Sequence, residues 1–296
     1  MHLITFQSNS DPRLGVIHQG TIIDLQAAHA ASEAQGPFPD SMVAILSLGE
    51  TGLQMAGQAL SYALEKDFVR YDRKDVTLLP PVPRPGKVMA LGKNYAAHAA
   101  EGGSKPPDYP MIFHKTATSL IGDGASIQVP PVVLQPDFEA ELAIVISRNG
   151  RDISEQDALD YVAGYCPAND VTARDWQRRT SQFSIGKMVD SFGPLGPALV
   201  TSDEIPDPGS LQIQSRLNGK VMQDSNTRYM IFSVPFIISY LSQVVTLEVG
   251  DVILTGTPEG VGFARTPPVW LQDGDEIVVE IEGLGALTNR VVRDQS

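Results

Sequence analysis

The stretch DFEAELAIVIS, Asp137 to Ser147, decides how the rest of the chain is read. From Leu142 to Ile146 every residue is apolar, the pattern of a strand covered on both faces. Its first half carries carboxylates at every second position, Asp137, Glu139 and Glu141. Side chains at i and i+2 share a face, so the three point the same way, about 6.6 Å apart along the strand. Their repulsion grows as water is withdrawn. An exposed strand end would leave them in solvent, whereas a covered one requires positive charge beside them. A hard divalent cation, which prefers oxygen ligands and keeps waters when it is Mg2+, would meet that need.

Composition narrows the setting. With 42% hydrophobic and 19% charged residues among 296, the chain is an ordinary globular sequence of one large or two unequal domains. A formal charge of -13 opposes nucleic acid or an anionic membrane as the main partner and leaves room for a local basic pocket. The single cysteine, Cys166, excludes an intrachain disulfide and reads as a buried structural thiol. The start MHLITFQSNSDPRLG lacks a basic segment followed by an apolar run, and no apolar run reaches the roughly 18 residues of a membrane span. The expectation is a soluble cytosolic protein.

Working outward, HLITF and LGVIHQGTIIDL read as strands with a turn at His18 to Thr21, and MVAILSL and LQMAGQALSYAL read as helices. Pro80, Pro81, Pro83 and Pro85 continue neither element, so the chain divides there into a small N-terminal domain, 1–80, and a larger unit, 81–296. KVMALG is a strand that runs into KNYAAHAAEGG, a short helical turn closed by glycines. Ser154 caps a helix over EQDALDYVAGY, and Ser233 begins another with Pro235 in its first turn. DVILT is a strand, and a hairpin is centred on Gly283 to Gly285. Strands and short helices alternate irregularly, which predicts an α+β, sheet-rich fold.

Several residues could join the carboxylates. Asp170 opens DVTARDWQRR at a loop or strand-to-helix position; with Glu139 and Glu141 it would supply half of an octahedral shell, although a helix N-cap explains it equally well. Arg174 and Gln177 lie four and seven residues on, a spacing that puts all three on one helical face, and Lys187 follows in SIGKMVD; together they would form a donor array for an anion. His98 and Glu101 stand at i, i+3, where a carboxylate can fix the imidazole tautomer and raise its basicity. TGTPEGVG, 255–262, fits neither nucleotide motif, but its turn can present backbone amides and the Thr257 hydroxyl to a carboxylate.

The order GKNYAAHAAE, PMIFHK, DFEAELAIVI, AGYCPANDVTARDWQ, GKMVDSFGPLGP and GDVILTGTPEGVG closely resembles the fumarylacetoacetate hydrolase family from about Lys87 onward, in its shorter, prokaryote-style branch. The resemblance implies a mixed β-sheet roll and one divalent ion, Mg2+ or Mn2+ with Ca2+ also used, held by Glu139, Glu141 and Asp170. It implies a catalytic dyad of His98 and Glu101 on a lid segment, Lys187 at the reacting oxygen, and Arg174, Gln177 and Thr257 as substrate donors. Asp137 is expected behind the metal ligands or exposed. Similar proteins are usually homodimers and include acylpyruvate hydrolases, sugar-derived diketo-acid hydrolases, oxaloacetate decarboxylases and tautomerases. The expected activity is hydrolysis of a carbon-carbon bond in a 2,4-dioxo acid such as an acylpyruvate or fumarylpyruvate by water that His98 activates. The alternative is decarboxylation or keto-enol tautomerisation of oxaloacetate at the same site.

Overall fold

The computed structural model describes residues 1–293 apart from 9, 10, 33, 67 and 69. Its centre is the strand Ala140–Ile146, every residue of which is buried. The alternation of strand side chains explains why it is apolar throughout. Leu142, Ile144 and Ile146 face a core shared with Ile213, Val279 and Ile281 of a second sheet. Ala143 and Val145 face the opposite core, which includes Ala56 and Ala59 of the helix Glu50–Glu65. Each large apolar side chain removed from water in this way stabilises the fold by roughly 1.5–3 kcal/mol. Glu139 and Glu141 share the parity of Ala143 and Val145, so the site opens on that second side.

The fold is α+β, as expected, with a large mixed sheet of 11 strands and a second sheet of five. In the large sheet Ala140–Ile146 lies between Val162–Asn169 and Val252–Leu254, antiparallel to both. Val252–Leu254 runs parallel to Val88–Gly92, which pairs in turn with Met111–Lys115. The N-terminal strands His2–Gln7, Arg13–His18 and Thr21–Asp24 extend the same sheet, because His2–Gln7 pairs with Leu199–Thr201. The second sheet carries the expected hairpin, Glu276–Ile281 with Gly285–Arg293. Ser233 caps the helix Val234–Ser242 by accepting a bond from the Phe236 amide, with Pro235 in the first turn. Cys166 is buried, and burial pushes its thiol up to about 12, consistent with an inert structural role.

One helix of the sequence reading gives way to strand. The Ser154 cap forms, its hydroxyl accepting from the Asp157 amide, but only a 3-10 turn over Ala158–Tyr161 follows. Val162–Asn169 is a strand because the ladder to Ala140–Ile146 satisfies its backbone groups and buries every residue. Gly164 fits that ladder because a Cβ there would lie 2.1 Å from the Val200 carbonyl oxygen. Among the described residues no helix is long and apolar enough to cross a membrane.

Candidate metal centre and active site

The register of the central strands assembles the acidic cluster. Ala140 stands opposite Asn169, and the Asp170 amide donates to the Glu139 carbonyl at 2.9 Å, so residues 31 apart in sequence become neighbours. Oxygens of Glu139, Glu141 and Asp170 all lie within 4.8 Å of one another, and all three residues are buried. Asp137 is buried too, so of its two expected places it takes the one behind the metal ligands and not the exposed one. Its carboxylate accepts from Arg174 Nε at 2.9 Å and from the Gly262 and Phe263 amides. Burial raises its carboxyl, and Arg174 works against that rise.

Three cations stand among these four acids. Arg174 Nη2 donates to Glu139 Oε1 at 2.6 Å, and Lys187 Nζ bridges Glu139 Oε2 and Asp170 Oδ2 at 2.6 and 2.7 Å. Lys115 Nζ reaches Asp170 Oδ1 at 2.7 Å and also the Lys187 carbonyl. Burial alone would raise the Glu139 carboxyl, but Arg174 and Lys187 hold it well below the carboxylate range. Burial would likewise lower the Lys187 ammonium, and the Asp170 and Glu139 charges raise it instead. Lys115, with fewer charged partners, is lowered by its burial.

Glu141 is the exception among the four acids. It forms no ion pair among the described residues, and its Oε2 accepts only from the Gly256 amide, at 2.7 Å. Burial and the neighbouring Asp170 and Glu139 charges push its carboxyl well above the ordinary range. Three hard oxygen donors with one uncompensated carboxylate among them fit a divalent cation, which would neutralise that charge. A proton then competes with the cation for Glu141. Mn2+ affinity is therefore expected to climb with pH through the Glu141 titration and to level off once the carboxylate is ionised. Calorimetric titration across acidic to neutral pH checks this; affinity that falls as pH rises would contradict it.

The remaining predicted residues converge on the same cavity, of about 180 Å³, which is lined by His98, Glu139, Glu141, Arg174, Gln177, Lys187 and Thr257. His98 lies on the helix Ala96–Glu101, and its Nδ1 is 2.8 Å from Glu101 Oε1, leaving Nε2 as the free ring nitrogen. The helix is closed over the site: Glu101 Oε2 accepts from the Gly260 amide at 2.8 Å, and the His98 ring meets the Phe263 ring edge-on at 6.3 Å. Gln177 Oε1 accepts from Arg174 Nη1, so its amide nitrogen is free to donate. Arg174 and Gln177 share the short helix Arg174–Gln177, whereas Asp170 precedes it, so the expected single helical face does not reach Asp170.

The loop 255–262 works differently from the sequence reading. Its Gly256, Gly260 and Gly262 amides bind Glu141, Glu101 and Asp137, carboxylates of the chain itself. Gly256 has φ +95, and a Cβ there would stand 2.7 Å from Asn94 Cβ, so glycine is required by conformation and by space. Three residues carry the site without a sequence signal that singles them out or with one that went unread. Lys115 shares the face of buried Phe113 on Met111–Lys115, with exposed His114 between them, a period-two cue to its inward face. Phe263 lies under the Arg174 guanidinium at 4.5 Å. Gln223 is fully buried; its Oε1 accepts from the Ala140 amide and the Ser215 hydroxyl, and its Nε2 donates to Thr257 Oγ1 at 2.7 Å. Because Thr257 accepts that bond, its own hydroxyl proton is free for the cavity.

The family model described as Fumarylacetoacetate (FAA) hydrolase C-terminal matches residues 87–292. The chain is similar to a mitochondrial protein of Rattus norvegicus named oxaloacetate tautomerase Fahd2a, at 44% identity over 99% of this chain and 92% of the relative. It is similar to oxaloacetate tautomerase YisK of Bacillus subtilis, at 39% identity over 93% of this chain and 94% of the relative. Among solved structures it resembles maleylpyruvate hydrolase from Sphingobium, crystallised with manganese (II) and pyruvate, at TM-score 0.80 and 32% identity over the full length of both chains.

Proposed function

The chain belongs to the fumarylacetoacetate hydrolase family, and from that premise we propose that it interconverts the keto and enol forms of oxaloacetate or a closely related 2-oxo acid. The observation that carries this reading is a single acid-base ring nitrogen, on a closed helix, over three clustered carboxylates in a small cavity. At about 180 Å³ the cavity falls below the roughly 300–1,000 Å³ typical of drug-sized ligands, which favours a short acid. Relatives of nearly full length from a vertebrate and a bacterium, both named oxaloacetate tautomerase, support the choice of substrate and reorder the sequence expectation, which put hydrolysis first.

Glu139, Glu141 and Asp170 would hold the divalent ion. When bound, Mg2+ or Mn2+ would act as a Lewis acid toward the 2-oxo acid end of the substrate. The chain's own residues do the rest. Thr257 and Gln177 donate to the carboxylate beside the oxo group, while Arg174 keeps Glu139 and Gln177 in place. His98 Nε2 takes a proton from C3, and Glu101 stabilises the ring charge that results. The electron pair of the broken C–H bond forms the C2–C3 double bond, and charge moves to the 2-oxo oxygen. Lys187, kept protonated by two carboxylates, donates to that oxygen with the N–H they leave free. The His98 ring then returns its proton to the same oxygen, completing the enol.

A second reading, hydrolysis of a 2,4-dioxo acid, is favoured by the His98–Glu101 geometry, which suits activation of water as well as removal of a carbon-bound proton. One assay separates them. Enol-oxaloacetate and a panel of acylpyruvates are supplied to protein loaded with Mg2+ or Mn2+ and to chelated protein. The expected result is accelerated ketonisation that chelation abolishes, with neither carbon dioxide nor a second acid released. Release of a 2-oxo acid plus a carboxylic acid would favour hydrolysis, and carbon dioxide would favour decarboxylation. The same proposal makes the protein a cytosolic homodimer, with residues 1–80 extending the sheet and core of the catalytic unit, 81–296.

A further inference from the structure

Four lysine or arginine side chains line the cavity: Lys93, Arg174, Arg178 and Lys187. Three are engaged. Arg174 and Lys187 are neutralised by buried carboxylates, and the Lys93 ammonium donates to the Ser104 hydroxyl at 2.9 Å. Arg178 differs. Its guanidinium makes no hydrogen bond or ion pair among the described residues and lies 4.8 Å from the centre of the Phe263 ring, the same ring that carries Arg174. Arg178 is exposed while Glu139, Glu141 and Lys187 are buried, so it marks the solvent end of a cavity whose inner end holds the acidic cluster.

A chain of net charge -13 repels a dianion at long range, and an uncommitted guanidinium at the entrance offsets that repulsion locally. The planar fork of arginine also matches a carboxylate at two points, which an ammonium cannot do. The inner donors of the proposed reaction, Thr257, Gln177 and Lys187, serve the 2-oxo acid end. A four-carbon diacid anchored there extends its second carboxylate outward.

We propose that Arg178 binds the distal carboxylate of a dicarboxylic 2-oxo acid and thereby sets a preference for diacids over monoacids. The inference rests on the proposed 2-oxo acid chemistry and is tested apart from it by direct binding. Calorimetry on Mn2+-loaded protein compares oxaloacetate with pyruvate, which lacks the second carboxylate, for the wild type, Arg178→Ala and Arg178→Lys. Loss of a charge-assisted contact predicts oxaloacetate affinity weakened on the order of 10-fold or more in Arg178→Ala. Pyruvate affinity is kept, and Arg178→Lys falls between. Equal weakening of both ligands would mean that Arg178 only supports Phe263 and would overturn the proposal, as would unchanged oxaloacetate binding. If oxaloacetate binds through Arg178 but is not converted, the reading of the reaction fails and the specificity residue stands.

Discussion

Replacing Arg174 with leucine is expected to cost about 3–5 kcal/mol of stability, the usual consequence of stripping one partner from a buried ion pair. Arg174 is 3% exposed and, among the described residues, is the one basic group paired with Asp137; it shares Glu139 with Lys187. Leucine would fill part of the volume while leaving the Asp137 carboxylate buried with backbone amides alone. Metal-free protein should lose about 6 °C or more in Tm, followed by thermal unfolding. Asp137→Asn in the same chain should recover part of that loss, because it removes the charge that Arg174 neutralises. A single variant as stable as the wild type would mean that the acids tolerate burial unpaired, and the electrostatic account of the site would then be wrong. The same change should weaken Mn2+ binding, since Glu139 would lose the contact that fixes one of its oxygens.

The part of this site that was legible in sequence was the part carried by short periodicities. Period two put Glu139 and Glu141 on one face of an apolar strand, and the structure keeps them there. A spacing of three put His98 beside Glu101 on a single helical turn. Asp170 is a weaker signal because its place depends on the register of Val162–Asn169 against Ala140–Ile146, and the first half of that strand, Val162–Tyr165, reads as the tail of a helix. The cap at Ser154 was real, but a local cap contributes about 1 kcal/mol and yields to an eight-residue strand buried along its whole length.

Gln223 illustrates what no local pattern reveals. It comes from the second sheet, 83 residues from Ala140 and 34 from Thr257, and ties both to one amide group. Its meaning lies entirely in tertiary contact, as does the pairing of Lys115 with Asp170 across 55 residues. The glycine loop was half legible. Its amides were expected to bind a carboxylate, and they do, but Glu141, Glu101 and Asp137 supply it. That loop joins the closed helix, the acidic cluster and the Arg174 support, so the three are set in place together.

Replacing His98 with alanine is expected to lower turnover by about 10²–10⁴-fold, the range for losing a positioned general base. His98 is 8% exposed on a helix held by Glu101 and the Gly260 amide, and neither contact involves the acidic cluster. Mn2+ affinity and Tm in excess metal should therefore stay close to those of the wild type, which separates a chemical loss from a structural one. Glu101→Gln should fall less steeply. It keeps the ring oriented through one amide oxygen but withdraws the negative charge that stabilises the protonated imidazole, and it weakens the bond to Gly260. If His98→Ala ketonises enol-oxaloacetate at the wild-type rate, the proton must travel through another group, and Lys187 is the cation nearest the reacting oxygen in this scheme. If instead tautomerisation survives and cleavage of an acylpyruvate is lost, the ring serves to activate water, and hydrolysis becomes the reaction for which the helix is closed.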